Sequence, residues 1–191
     1  YMAPRLSRGE CMAPLTTALL AAPEVVFASK QNSEELLEAW WTQVVYHGSI
    51  KGVGASHNAF NIDIRNRLKR LKEEISQTAE NGDEEPRVEL SRLKSKIAQL
   101  TSLSTAEENA TTFDQLGKSI TDARDECLDA VLSTNMISVG LDVARLALMV
   151  INGQPLTTAE YIQASSRVGR STVPGIVFAN YYRDQARSLS H

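Results

Sequence analysis

Arg167 and Arg170 stand three residues apart in the stretch Tyr161-Ile162-Gln163-Ala164-Ser165-Ser166-Arg167-Val168-Gly169-Arg170, and Gln163 lies four residues before the first of them. A guanidinium stays charged and offers a planar fork of donors that matches phosphate oxygens. Two forks at a spacing of three fall on one side of a helical turn, so the spacing predicts a pair that reaches one polyphosphate. Upstream, the stretch Thr134-Asn135-Met136-Ile137-Ser138-Val139-Gly140-Leu141-Asp142 places a carboxylate two residues after a glycine. Glycine lets backbone amides approach a ligand closely, and a carboxylate there accepts hydrogen bonds from a sugar hydroxyl. Together the two stretches have the chemistry of a nucleotide site approached from one side.

These residues need a scaffold, and the apolar pattern supplies one. Short runs over 43–47, 97–101, 128–134, 146–151 and 175–181 read as strands, nearly continuous in their apolar character. Such strands suit a parallel sheet covered on both faces. Helical segments alternate with them, so the expected fold is α/β, a three-layer sandwich with a mostly parallel central sheet. Phe60, Ile64, Leu68, Leu71 and Ile75 repeat at helical spacing and predict an amphipathic helix, with Arg65, Arg67, Lys69, Arg70 and Lys72 on its polar side. Ser33 is placed at the start of a helix carrying Trp40 and Trp41, a further helix over 88–96, and helical character over 113–120. Thr105 with Glu108, and Thr157 with Glu160, fit capping boxes. The strand over 43–47 runs into a loop of Gly, Ser and Lys over 48–54. Functional loops of open parallel sheets gather at the carboxyl ends of the strands. Both key stretches are therefore expected at that edge, and arginines facing away from it would count against the nucleotide assignment.

The wording of both stretches resembles superfamily 2 helicases. Thr134-Asn135 followed by Gly140-Leu141-Asp142 looks like motif V, and Gln163 followed by Arg167-Val168-Gly169-Arg170 looks like motif VI, usually Q-x-x-G-R-x-G-R. The fuller wording, including Asn152-Gly153-Gln154-Pro155 and Thr158-Ala159-Glu160, is similar to the helicase subunits of bacterial DISARM phage-defence systems. The resemblance implies a RecA-like helicase C-terminal domain over 40–191, with a helical insertion around 61–96 and a tail and linking helix over 1–39. It implies that Arg167 and Arg170 are catalytic arginine fingers and that Gln163, Gly140 and Asp142 contact the nucleotide. It further implies that Thr134, Gly48, Ser49, Thr101 and Ser102 contact nucleic acid. Ser166 departs from the family glycine; being small, it should leave the loop geometry intact.

The same resemblance implies ATP with Mg2+, the ion being held by a first RecA-like domain that this sequence lacks. No GxxxxGK[ST] loop is present. Leu116-Gly117-Lys118-Ser119 imitates its end, but Thr112 stands where the first glycine belongs and a helix precedes it, so the match is read as chance. The expected whole is an ATP-dependent helicase or translocase, active only with its first half, and the chain is taken as a fragment, inactive alone. Its expected partners are nucleic acid, DNA ahead of RNA, the first domain, and other defence subunits. A RecA-like module that binds nucleic acid or a partner without catalysis is the alternative.

Composition bounds these readings. The 191 residues carry a net charge of −3, which argues against holding nucleic acid by bulk positive charge alone. Cys11 and Cys127 form no CxxC pair, His47 and His57 have no metal-ligand spacing, and no metal is expected on the chain. No uninterrupted apolar run reaches about 18 residues, since Pro14 and Pro23 break the nearest candidate, so no membrane contact and a cytoplasmic location are expected.

Overall fold

The computed structural model describes residues 8–27, 33–80, 90, 96–138 and 142–182. Five strands form its centre: β1 (Gln43–His47), β2 (Ile97–Leu100), β3 (Ala130–Ser133), β4 (Leu148–Asn152) and β5 (Ile176–Asn180). They lie in the order β2-β3-β1-β4-β5, and all four pairings are parallel. Alternate residues of a strand face opposite sides. Val45, Leu132 and Val150 accordingly enter one core, while Val44, Tyr46, Val131, Met149 and Ile151 enter the other. Both faces are covered, so the three-layer sandwich is as expected, and its sheet is wholly parallel.

The first face is covered by α1 (Arg8–Phe27), α3 (Ile50–Ala59) and α4 (Arg65–Glu80). A π-helical turn, Phe60–Ile64, joins α3 to α4. Phe60, Ile64 and Leu68 are fully buried, as the helical periodicity requires. The glycine-rich loop expected over 48–54 is shorter than read, because α3 begins at Ile50 with Ser49 as its cap. A Cβ on Gly52, inside that helix, would stand 3.1 Å from Nδ1 of His47, so the imidazole would have to give by a few tenths of an ångström.

The residues preceding α2 (Glu34–Trp41) offered little to read, yet α1 is a core helix. It continues through Pro14 and Pro23 and buries Met12, Leu19 and Leu20. Glu24, only 3% exposed, accepts a 2.8 Å hydrogen bond from Arg124. The expectation that no segment is long and apolar enough to span a bilayer is therefore corrected. The window Glu10–Phe27 has a mean hydropathy of 1.3, but half of it is buried within the protein, as a core helix would be.

The second face holds α5 (Ala106–Gly117) and α7 (Thr158–Ser165), together with a 3-10 turn, Asn135–Ser138, that follows β3. The short α6 (Ile120–Ala123) packs near α2 through Ile120 and Trp41. Trp41 is buried and Trp40 packs against the core, as expected. Thr105 and Glu108 form the reciprocal capping box of α5. Of the helix expected over 88–96, only Leu90 and Lys96 are described; the rest lies outside the described residues. Lys118, the imitation phosphate-loop lysine, caps the end of α5 and pairs with Glu126 and Asp114. It sits between two helices, which is no phosphate loop.

Candidate functional site: two edges of one sheet

At the carboxyl edge, strand order brings three expected loops together. β2, β3 and β1 are neighbours, so Thr101-Ser102, Thr134 and Gly48-Ser49 emerge side by side. Gly48, Ser49 and Ser102 are exposed, whereas Thr101 and Thr134 are 4% and 8% exposed. The Thr101 hydroxyl accepts the Leu103 N–H at 3.3 Å, and the Thr134 N–H donates to the Leu100 carbonyl at 3.2 Å. These two threonines shape the turns; the other three residues offer the surface. Beside them lies a cleft of about 640 Å³, with Ile50, Gln99, Leu103, Ser104 and Glu107 in its walls.

The arginine stretch lies elsewhere. α7 starts after the carboxyl end of β4 and runs back across the sheet. Its eight residues rise about 12 Å, close to the roughly 16 Å length of a five-residue strand. Its far end is therefore at the amino edge, where the Gly169 N–H donates to the Leu146 carbonyl, ahead of β4, at 2.8 Å. The expectation that Arg167 and Arg170 sit at the carboxyl edge is overturned. The rule for open sheets places the first residues after a strand, and these arginines follow a whole helix. Asp142 lies at the same edge, against Arg170, and Gly140 lies outside the described residues.

Nor do the two arginines share a helical face. α7 ends at Ser165, and Gly169, with φ of 74°, turns the chain between them. That left-handed conformation is cheap only for glycine. A Cβ on Gly169 would also stand 2.6 Å from the Gly175 nitrogen, and one on Gly175 would stand 2.7 Å from the Gly169 nitrogen. Two glycines thus let the arginine loop lie directly on the start of β5. Ser166, at φ −70°, needs no such freedom, so serine fits where the resembled motif has glycine.

Arg170 Nη1 donates to Asp142 Oδ1 at 2.7 Å, and Nε donates to the Ser166 carbonyl at 2.9 Å. The ion pair is open to solvent, with side-chain exposures of 35% and 81%. Such a pair contributes about 0–1 kcal/mol, so a competing anion displaces it at little cost. Arg167 is half-buried and Gln163 is exposed on α7. The edge thus offers guanidinium donors that suit a triphosphate. Among the described residues no three His, Cys, Asp or Glu side chains gather to hold a metal.

Two supports of α7 and the loop that follows it had no signal in the sequence. At the start of α7, the Glu160 N–H donates to Thr157 Oγ1 at 3.1 Å, as the capping box predicts. The Glu160 carboxylate, however, accepts from Leu156 N–H and from the buried Tyr46 hydroxyl instead of closing the box on Thr157. Burial, and then Glu160, push the Tyr46 pKa upward, which keeps the hydroxyl a donor. The second support is Arg145, whose side chain is 10% exposed and 3.6 Å from Glu38. Burial lowers its pKa, while Glu38 opposes the shift.

Residues 72–172 match the family described as "Helicase conserved C-terminal domain". The chain is 37% identical, over 98% of its length, to the DISARM protein DrmA of Bacillus paralicheniformis, of which it spans 16%. Among solved structures, S. cerevisiae Dbp5 bound to RNA and ADP BeF3 is similar with a TM-score of 0.53 at 13% identity, covering 98% of this chain and 35% of that one. The C-terminal domain of the DEAD-box protein Dbp5 gives 0.52 at 13% identity, covering 100% and 78%. At such identities these structures speak for the fold alone.

Proposed function

Because this chain belongs to the helicase conserved C-terminal domain family, we propose that it is the second RecA-like half of an ATP-dependent nucleic-acid motor. Its arginine loop completes an ATP site whose Mg2+ and phosphate loop belong to another domain. The observation that carries this is the arginine loop itself. Arg170 is held at the amino edge by one weak, open ion pair and by backbone contacts that need two facing glycines. Arg167 and Arg170 supply positive charge to the phosphates, which in known phosphoryl transfers contributes about 10³–10⁵ in rate. Asp142 and Gln163 contact the nucleotide, as does Gly140. Nucleic acid lies along the opposite edge, over Gly48, Ser49 and Ser102, with Thr101 and Thr134 shaping the loops that touch its phosphates.

The relative's DISARM name supports phage defence as the setting, and the reading takes DNA as the track, further defence subunits as partners and the cytoplasm as the location. The amino-edge placement of both arginines and the Asp142–Arg170 ion pair count for the other reading, a module that binds without catalysis; the family match weighs against it. ATP hydrolysis by the full-length protein, with and without DNA, separates them. The motor reading expects hydrolysis stimulated by DNA; DNA binding without hydrolysis would leave the binding module. A strand-displacement assay beside a translocation assay then tells unwinding from movement.

A further inference from the structure

We propose that Arg145 is the positioning residue of the arginine loop: its guanidinium fixes residues 142–147 as a strap on which Gly169 and Arg170 dock. This rests on the motor reading, and it concerns a residue that reading does not use.

The arginine loop meets the strap at two points. Arg170 donates to Asp142 at 2.7 Å, and the Gly169 N–H donates to the Leu146 carbonyl at 2.8 Å. The first contact is too exposed to hold a guanidinium in place, being an open ion pair. Precision must therefore come from the strap. Leu146 is anchored by packing, and the Ala147 N–H donates to the Ala39 carbonyl at 3.0 Å.

The approach to Leu146 is fixed by Arg145, which reaches inward to three parts of the body. Nε donates to the Leu116 carbonyl at the end of α5, at 2.8 Å. Nη2 donates to Thr42 Oγ1, between α2 and β1, at 3.0 Å, and Glu38 Oε1 on α2 lies 3.6 Å from Nε. Two of those partners are themselves held. Thr42 Oγ1 donates to the Leu128 carbonyl at 2.7 Å. Glu38 Oε2 accepts from Ser119 Oγ at 2.9 Å and from the Ile120 N–H at 2.8 Å.

A planar fork with donors in several fixed directions can serve this geometry, and a lysine cannot. Stability alone does not call for it. Replacing a buried ion pair by apolar side chains of similar volume is often neutral or stabilising. What the network adds is a fixed path for the strap, and errors of about 1 Å in placing a catalytic group cost on the order of 10²-fold.

The test uses the full-length protein with Arg145→Met, Arg145→Lys and Glu38→Gln, beside Arg170→Ala. Steady-state ATP hydrolysis, nucleic-acid affinity and thermal melting are measured on each. Arg145→Met is expected to lose about 10²-fold in kcat while KM for ATP and nucleic-acid affinity stay within about threefold. Arg145→Lys should fail to restore the rate. Glu38→Gln, which keeps one carbonyl oxygen for Ser119 and Ile120 and turns an uncharged amide to Arg145, should lose about tenfold in kcat, less than Arg145→Met. A purely structural role predicts instead that kcat, affinity and melting fall together, or that lysine rescues; either overturns the inference. Should Arg145→Met not fold, an unchanged kcat in Glu38→Gln overturns it. If Arg170→Ala abolishes hydrolysis while all Arg145 and Glu38 variants are fully active, only the positioning role fails. If Arg170→Ala hydrolyses normally, the motor reading itself fails.

Discussion

The two edges of the sheet are built differently. The carboxyl edge is made of short turns directly after strands, where Gly48, Ser49 and Ser102 are exposed and little beyond a helix cap and a turn holds them. The amino edge is reached only after a helix or a crossing segment. It depends on facing glycines, a buried arginine and hydrogen bonds between residues far apart in the chain. An edge of adaptable turns suits a partner recognised by its repeating backbone. An edge of fixed donors suits a small anion whose charge must be met in one geometry. One sheet thus presents a permissive side and an exacting side, with α7 running between them.

Substitutions that strike one side alone test that contrast. The largest effect is expected for Arg170→Ala in the full-length protein, a loss of about 10³-fold or more in ATP hydrolysis. Next comes Gly169→Ala. Its methyl group would meet the Gly175 backbone at 2.6 Å in a left-handed conformation. Hydrolysis should fall on the order of 10²-fold, and melting should drop by several degrees for a cost of about 2 kcal/mol. Calorimetry beside the hydrolysis assay checks both.

At the permissive side, Gly48→Asp places a carboxylate where a Cβ meets nothing within 4 Å. It should weaken nucleic-acid affinity roughly tenfold through like-charge repulsion, increasingly at low salt, and leave KM for ATP unaltered. A salt titration of binding measures it. The smallest effect is expected for Tyr46→Phe, which removes the donor that ties β1 to Glu160. One buried hydrogen bond contributes about 1 kcal/mol, and Glu160 keeps its bond to Leu156. Stability should fall by that amount, with a loss of a few-fold in stimulation of hydrolysis by nucleic acid.

The same contrast explains what the sequence disclosed. Strands β1, β3 and β4 were readable because Val44, Val45, Val131, Leu132, Met149 and Val150 form continuous apolar runs, buried on both faces. The arginine stretch was readable because its members are close in sequence. Its edge was not, since no local rule says where a helix of eight residues returns the chain. Arg145 and Tyr46 lie 103 and 114 residues from their partners Thr42 and Glu160, and nothing in a run of residues marks such pairs. The full extent of helix α1 escaped because Pro14 and Pro23 read as interruptions, whereas its buried Leu19 and Leu20 hold it in place despite them.

The central proposition is that the amino edge lends guanidinium groups to an ATP site it does not otherwise own. ATP hydrolysis and nucleic-acid affinity measured on the same preparations of full-length wild type, Arg167→Ala and Arg170→Ala test it most directly. Near-complete loss of hydrolysis in both variants, with affinity largely retained, is the predicted result. Wild-type hydrolysis rates in both would contradict it.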